Sequence, residues 1–122
     1  MLQHVLRVLP EEACGLIGGQ KGVSRVVYEV ENVLHSPTHF RMEPEGQVRA
    51  FLAIEQQGLE LLAIYHSHPL GPDKPSPTDM SEFAYPGTPY LIWYPQAKGW
   101  VCKAFMLLGS EFTEIELILV EE

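Results

Sequence analysis

A chain of 122 residues with 46% apolar side chains is long enough to bury one ordinary core and too apolar for wholesale disorder. Sixteen acidic against eight basic residues give a formal charge of −8, which argues against nucleic acid or an anionic membrane surface as partner, since both need clustered cations. There is no secretory leader pattern and no run of eighteen apolar residues, so a cytoplasmic protein without a membrane span is expected, with Cys14 and Cys102 reduced.

The elements follow in chain order. Leu2, Val5, Leu6 and Leu9 share one stripe of a short amphipathic helix that Pro10 ends, with His4 on its polar face. Cys14 to Gly18 reads as a buried strand turning at Gly18-Gly19, and the β-branched run Ser24 to Val33 reads as its hairpin partner. His35 to Arg41, which contains Pro37, reads as loop. A second helix starts near Pro44, turns Val48, Phe51 and Leu52 inward, and frays around Gly58. Leu59 to His68 is apolar on both faces, the mark of a central strand covered on both sides. Pro69 to Pro75 is a stiff loop, Pro77 to Phe83 a short helix and Pro89 to Tyr94 a strand. After a turn at Gln96 to Gly99, Trp100 to Leu108 and Phe112 to Val120 form a closing hairpin. Ile115, Leu117 and Leu119 lie on one face of its second strand, with Glu114 and Glu116 on the other. No repeat or linker divides the chain, which predicts a single domain spanning residues 1–122 around a strand-rich core.

The chemistry concentrates in His66-Ser67-His68 and Ser76-Pro77-Thr78-Asp79. Residues two apart on a strand point the same way, so His66 and His68 aim both rings at one point while Ser67 faces away. The loop then returns Asp79 eleven residues after His68. Two imidazoles and a carboxylate are a catalytic zinc set that leaves a coordination position open. Ser76-Pro77-Thr78-Asp79 also has the form of a helix start, with Ser at the N-cap and Pro at the first helical position. Both readings hold together, because a helix N-terminus fixes a ligand's place. His35 and His39 lie four apart, but Pro37 between them breaks helical spacing and removes the case for a shared metal. Cys14 sits in an apolar strand, where burial raises a thiol pKa, and reads as structural.

The segment HSHPLGPDKPSPTD fits His-Ser-His, seven residues, Ser, two residues, Asp. It resembles the signature of the JAMM (MPN+) zinc metalloproteases in their minimal prokaryotic form. That pattern also has a glutamate two positions before a Cys-Gly pair, which is Glu12 here, with Glu11 the bystander. A Phe-x-Met segment at Phe40 to Met42 and the helix after it extend the resemblance over most of the chain. Phe40 to Met42 either flanks a substrate groove or packs in the core.

The resemblance implies an α/β fold, a mixed, curved β-sheet flanked by helices and related to that of cytidine deaminases. It implies one zinc per chain, bound by His66, His68 and Asp79 with water in the fourth position. Glu12 would be the general base, and Ser76 would hydrogen-bond the oxyanion that develops on the scissile carbonyl. The implied substrate is the tail of a ubiquitin-like or sulfur-carrier protein, cut after its C-terminal Gly-Gly. A homodimer is left open. The competing reading is a non-catalytic MPN-type interaction module, which lacks the metal ligands that stand here at all positions. A zinc deaminase would need Cys-x-x-Cys with His-x-Glu, and neither occurs.

Overall fold

The computed structural model describes residues 1–76 and 87–117. Among these described residues, two helices and six strands follow in the order α1 (Leu2–Arg7), β1 (Cys14–Gln20), β2 (Val23–Val30), α2 (Pro44–Gln56), β3 (Glu60–Ser67), β4 (Tyr90–Gln96), β5 (Gly99–Leu108) and β6 (Glu111–Ile115). The strands form one mixed sheet in the order β2-β1-β3-β4-β5-β6. Only β3 and β4 run parallel; every other neighbouring pair is antiparallel. The predicted α/β architecture is the one observed.

Local chemistry explains most boundaries. Gln20 pairs with Val23 across a two-residue turn in which Lys21 (φ 53) and Gly22 (φ 76) are both left-handed, the geometry that matches the twist of a hairpin. The turn therefore lies beyond Gly18-Gly19, where the sequence suggests it, and both of those glycines are strand residues. A Cβ on Gly18 would come 2.9 Å from Ile54, and one on Gly19 would come 2.4 Å from the Val23 carbonyl. Close packing and a bulged register, rather than a turn, account for the pair.

Helix α2 begins at Pro44 as expected, with the Glu43 carboxylate accepting from the Glu45 and Gly46 amides. It closes with Gly58 (φ 72) donating to the Glu55 carbonyl and Leu59 donating to that of Ile54, a Schellman cap. Its inner face differs from the expected one. Ala50 and Ile54 are buried against the sheet and Phe51 packs beside them, whereas Val48 is 58% and Leu52 51% exposed.

The two faces of the sheet carry separate cores. On one, Cys14, Leu16, Ile64 and Tyr90 meet Val30, Met42, Ala50 and Ile54 under α2. On the other, Ile17, Ala63, Tyr65, Leu91 and Ala104 lie beside Val5, Ala13 and Trp93, with Met1 and Leu2 of the N-terminal segment packed against them. The stripe expected on α1 is corrected accordingly. The helix is only six residues long; it buries His4 and Val5 and leaves Leu6 exposed, and Leu9 lies beyond its end, also exposed. β2 stops at Val30 and the chain continues through an isolated bridge between Asn32 and Met42. β6 ends at Ile115, short of the expected strand, and residues 118–120 of that prediction lie outside the described residues, as does the predicted helix over 77–83.

Candidate metal centre

The register of two strands assembles the site. Cys14 pairs with His66 in the antiparallel β1–β3 ladder. Stepping two residues back from Cys14 and two onward from His66 keeps the same face, and brings Glu12 beside His68. The ladder is continued past the start of β1 by Ser67, whose amide donates to the Ala13 carbonyl (3.0 Å) and whose hydroxyl accepts from the Ala13 amide (2.7 Å). Ser67 thus faces away from the imidazoles, as the alternation predicts, and is wholly buried as a strap between the two segments that carry the site.

Glu12, His66 and His68 are all buried, and a ligand atom from each lies within 4.8 Å of the others. The two Nε2 atoms are 2.8 Å apart, and His68 Nδ1 lies 2.8 Å from the Pro72 carbonyl oxygen. A carbonyl only accepts, so His68 carries a proton on Nδ1 and turns Nε2 into the cluster. This is the arrangement by which metal-binding histidines are oriented. The donor set, the burial and the contact of His68 Nδ1 with the Pro72 carbonyl together fit a metal ion. Among the described residues this is the one group of three such side chains brought together.

Rings and a tether hold the two imidazoles in place. Phe40 stacks on His66 at 4.5 Å between centroids with planes 23° apart, and Tyr90 leans on it at 4.8 Å. Beyond His68, Lys103 Nζ reaches Asp73 Oδ2 at 2.9 Å, fixing the loop immediately after the Pro72 carbonyl to β5. The lysine beside it holds the Asp73 carboxyl below its ordinary range. Of the remaining sequence candidates, Ser76 is half-buried in that loop, and Asp79 lies outside the described residues.

The other candidates have different occupations. Glu11 pairs with His35 at 2.9 Å, and this contact raises the imidazole pKa of His35. His39 Nδ1 lies 2.9 Å from the Thr38 hydroxyl. Burial pushes the Cys14 thiol up to about 12, and its Sγ lies 3.4 Å from the Val30 carbonyl. His4, expected on a polar helix face, is instead buried, with Nδ1 2.7 Å from the Tyr65 hydroxyl. The ring of Tyr65 reaches it across Gly15, where a Cβ would come 2.4 Å from Tyr65 Cε1. Sequence reasoning placed Ser67 only as facing away, without its strap role, and passed over Asn32, Tyr90 and the Pro72 carbonyl. Only Ser67 had a signal, its place between two histidines; the others are brought in by tertiary folding.

Comparison with known proteins agrees with this geometry. A family model described as prokaryotic homologs of the JAB domain matches residues 1–117. A Thermus thermophilus protein named "Probable TtuB-protein conjugate cleaving protease" is 40% identical over 118 residues, covering 96% of this chain and 74% of that protein. A "Desampylase" of Haloferax volcanii is 33% identical over 111 residues, covering 88% and 78% respectively. The solution structure of a Desulfitobacterium hafniense protein superimposes with a TM-score of 0.88 at 37% identity, over 100% of this chain and 87% of that one.

Proposed function

The chain belongs to the prokaryotic homologs of the JAB domain, and from that premise we propose that it is a zinc-dependent peptidase or isopeptidase. Its substrate in this reading is a ubiquitin-like or sulfur-carrier protein, cut at the bond after the C-terminal Gly-Gly. The observation that carries the proposal is the buried cluster of Glu12, His66 and His68 within 4.8 Å. The names of the Thermus and Haloferax relatives, a conjugate-cleaving protease and a desampylase, support the substrate class.

His66, His68 and Asp79 would hold one zinc per chain. Zinc, when bound, supplies a Lewis acid that makes water a competent nucleophile near neutral pH. Glu12 takes the proton from the attacking water and returns it to the leaving amine, a role suited to a buried carboxylate at the edge of the cluster. The Ser76 hydroxyl donates to the oxyanion that forms on the scissile carbonyl. Glu12 serves as base rather than ligand, because a fourth protein ligand would close the site. A tail ending in two glycines carries no side chains at the positions nearest the cut, so it can approach the protein backbone closely.

The test is to incubate zinc-loaded protein with several ubiquitin-like or sulfur-carrier proteins extended beyond their Gly-Gly, and to read the products by mass spectrometry. The expected result is a carrier ending in Gly-Gly, with about one zinc per chain by metal analysis. An intact set of carriers from fully metal-loaded protein would overturn the peptidase reading in favour of a non-catalytic interaction module.

A further inference from the structure

We infer that Asn32 is a positioning residue for the metal centre, acting on Glu12 and on the ring that covers His66 through one side-chain amide. The inference rests on the peptidase reading above and adds a residue that neither the motif nor the ligand set contains.

Asn32 is buried at the neck of the loop between β2 and α2, where it bridges to Met42. Its Nδ2 donates to the Glu12 carbonyl at 3.1 Å and to the His39 carbonyl at 3.0 Å. Its Oδ1 accepts from the Leu34 and Arg41 amides, each at 3.1 Å. Both donors and both acceptor sites of the amide are thereby used. The partners are not scattered. The His39 carbonyl and the Arg41 amide belong to the two peptide groups that flank Phe40, and Phe40 is the ring stacked on His66 at 4.5 Å. The remaining donor holds the main chain of Glu12, whose own amide is tied to the same loop through the Ser36 carbonyl at 2.8 Å. One planar group therefore sets the backbone under the carboxylate and the backbone under the ring packed on a histidine ligand. Isolated loop stabilisation would not require those two anchors to share a side chain.

Asn32→Asp keeps both accepting contacts and turns the two donating ones into oxygen facing carbonyl oxygen; Asn32→Ala removes all four. Both variants are to be compared with wild type by chelator competition for zinc without substrate, by steady-state cleavage of a Gly-Gly-linked conjugate, and by thermal melting. The expected result is zinc binding weaker by about tenfold or more and kcat lower by a similar factor, with KM within about threefold, since supporting contacts of this kind typically govern affinity and rate by 10–100-fold. A folded variant with a lower melting temperature but zinc affinity and kcat within about twofold of wild type would make Asn32 merely structural and overturn the inference. If neither variant folds, Phe40→Leu decides, because Asn32 holds only backbone atoms around Phe40. Zinc affinity should then fall severalfold, and unchanged affinity overturns the inference. Wild-type protein that binds no zinc or cleaves no conjugate would instead refute the peptidase reading itself.

Discussion

Glu12 and Glu11 are adjacent in sequence and opposite in environment. Glu12 is buried in the cluster with His66 and His68, while Glu11 lies at the surface against His35. If Glu12 is the base, Glu12→Gln preserves shape and should retain zinc while kcat falls by about 10²- to 10⁴-fold, the usual contribution of general acid–base catalysis. Metal analysis and steady-state rates on the same preparation check both halves, and an active variant would remove Glu12 from that role. The glycine next to Cys14 makes a second residue-scale prediction. A Cβ on Gly15 would lie 2.4 Å from both the Tyr28 carbonyl and the Tyr65 ring. Gly15→Ala should cost about 1–3 kcal/mol by overpacking, read as a lower urea midpoint. The Cys-Gly pair is thus explained by the Tyr65 side chain lying across the strand, in addition to its place in the motif.

At the scale of elements, α2 shows how a helix can be recognised from sequence while its orientation is not. Its start at Pro44 and its end before Gly58 follow from capping chemistry that operates within a few residues. Its inward face depends on what it packs against. Gly18 of β1 has no side chain, and Ile54 occupies the space there, so the helix settles with Ala50 and Ile54 inward and leaves Val48 and Leu52 outside. Ile54→Ala should accordingly cost about 2–5 kcal/mol, and Val48→Ala less than about 0.5 kcal/mol, measured by chemical denaturation. Equal costs would contradict this orientation. The same limit governs the loops around the site. His-Ser-His is legible as a strand exit, but the Pro72 carbonyl on His68, the Lys103–Asp73 tether and the Phe40 ring on His66 come from segments distant in sequence.

Across the whole molecule, the sheet separates the candidate metal centre, with its two buried histidines, from a third buried histidine, His4, on the opposite face. Burial lowers the pKa of His4, with the nearby Glu29 working against it. The unfolded chain therefore binds a proton that the folded chain resists, in the window below the ordinary value of 6.5. The stability contribution of His4 is complete above that value and is lost as pH falls through the folded pKa. His35 has the opposite sign, because Glu11 raises its pKa; its contribution is present at low pH and lost as pH rises, and exposure keeps it small. The Glu29 carboxyl, held down by Arg7, loses its contribution only at lower pH. Lowering the pH from about 7 to about 5 should therefore destabilise the wild-type protein more than His4→Gln, which retains a partner for Tyr65 without titrating. Urea midpoints of both proteins at the two pH values measure the difference, and identical slopes would exclude His4.

The sequence by itself determined the succession of strands, the capped start of α2 and the spacing from His66 to Asp79, while the α/β class came with the resemblance that this spacing carries. Each of the first three depends on local periodicity, backbone stereochemistry or a fixed interval along the chain. The resemblance carried by that spacing also singled out Glu12. What only the tertiary structure decided is how Glu12 reaches the histidines: an antiparallel register in which Cys14 meets His66, extended by Ser67 and secured by Asn32. It also decided which face of α2 is buried and why His4 lies in the interior. Register, facing and burial depend on which side chains fill the space between elements remote in the chain, and no local pattern encodes that choice.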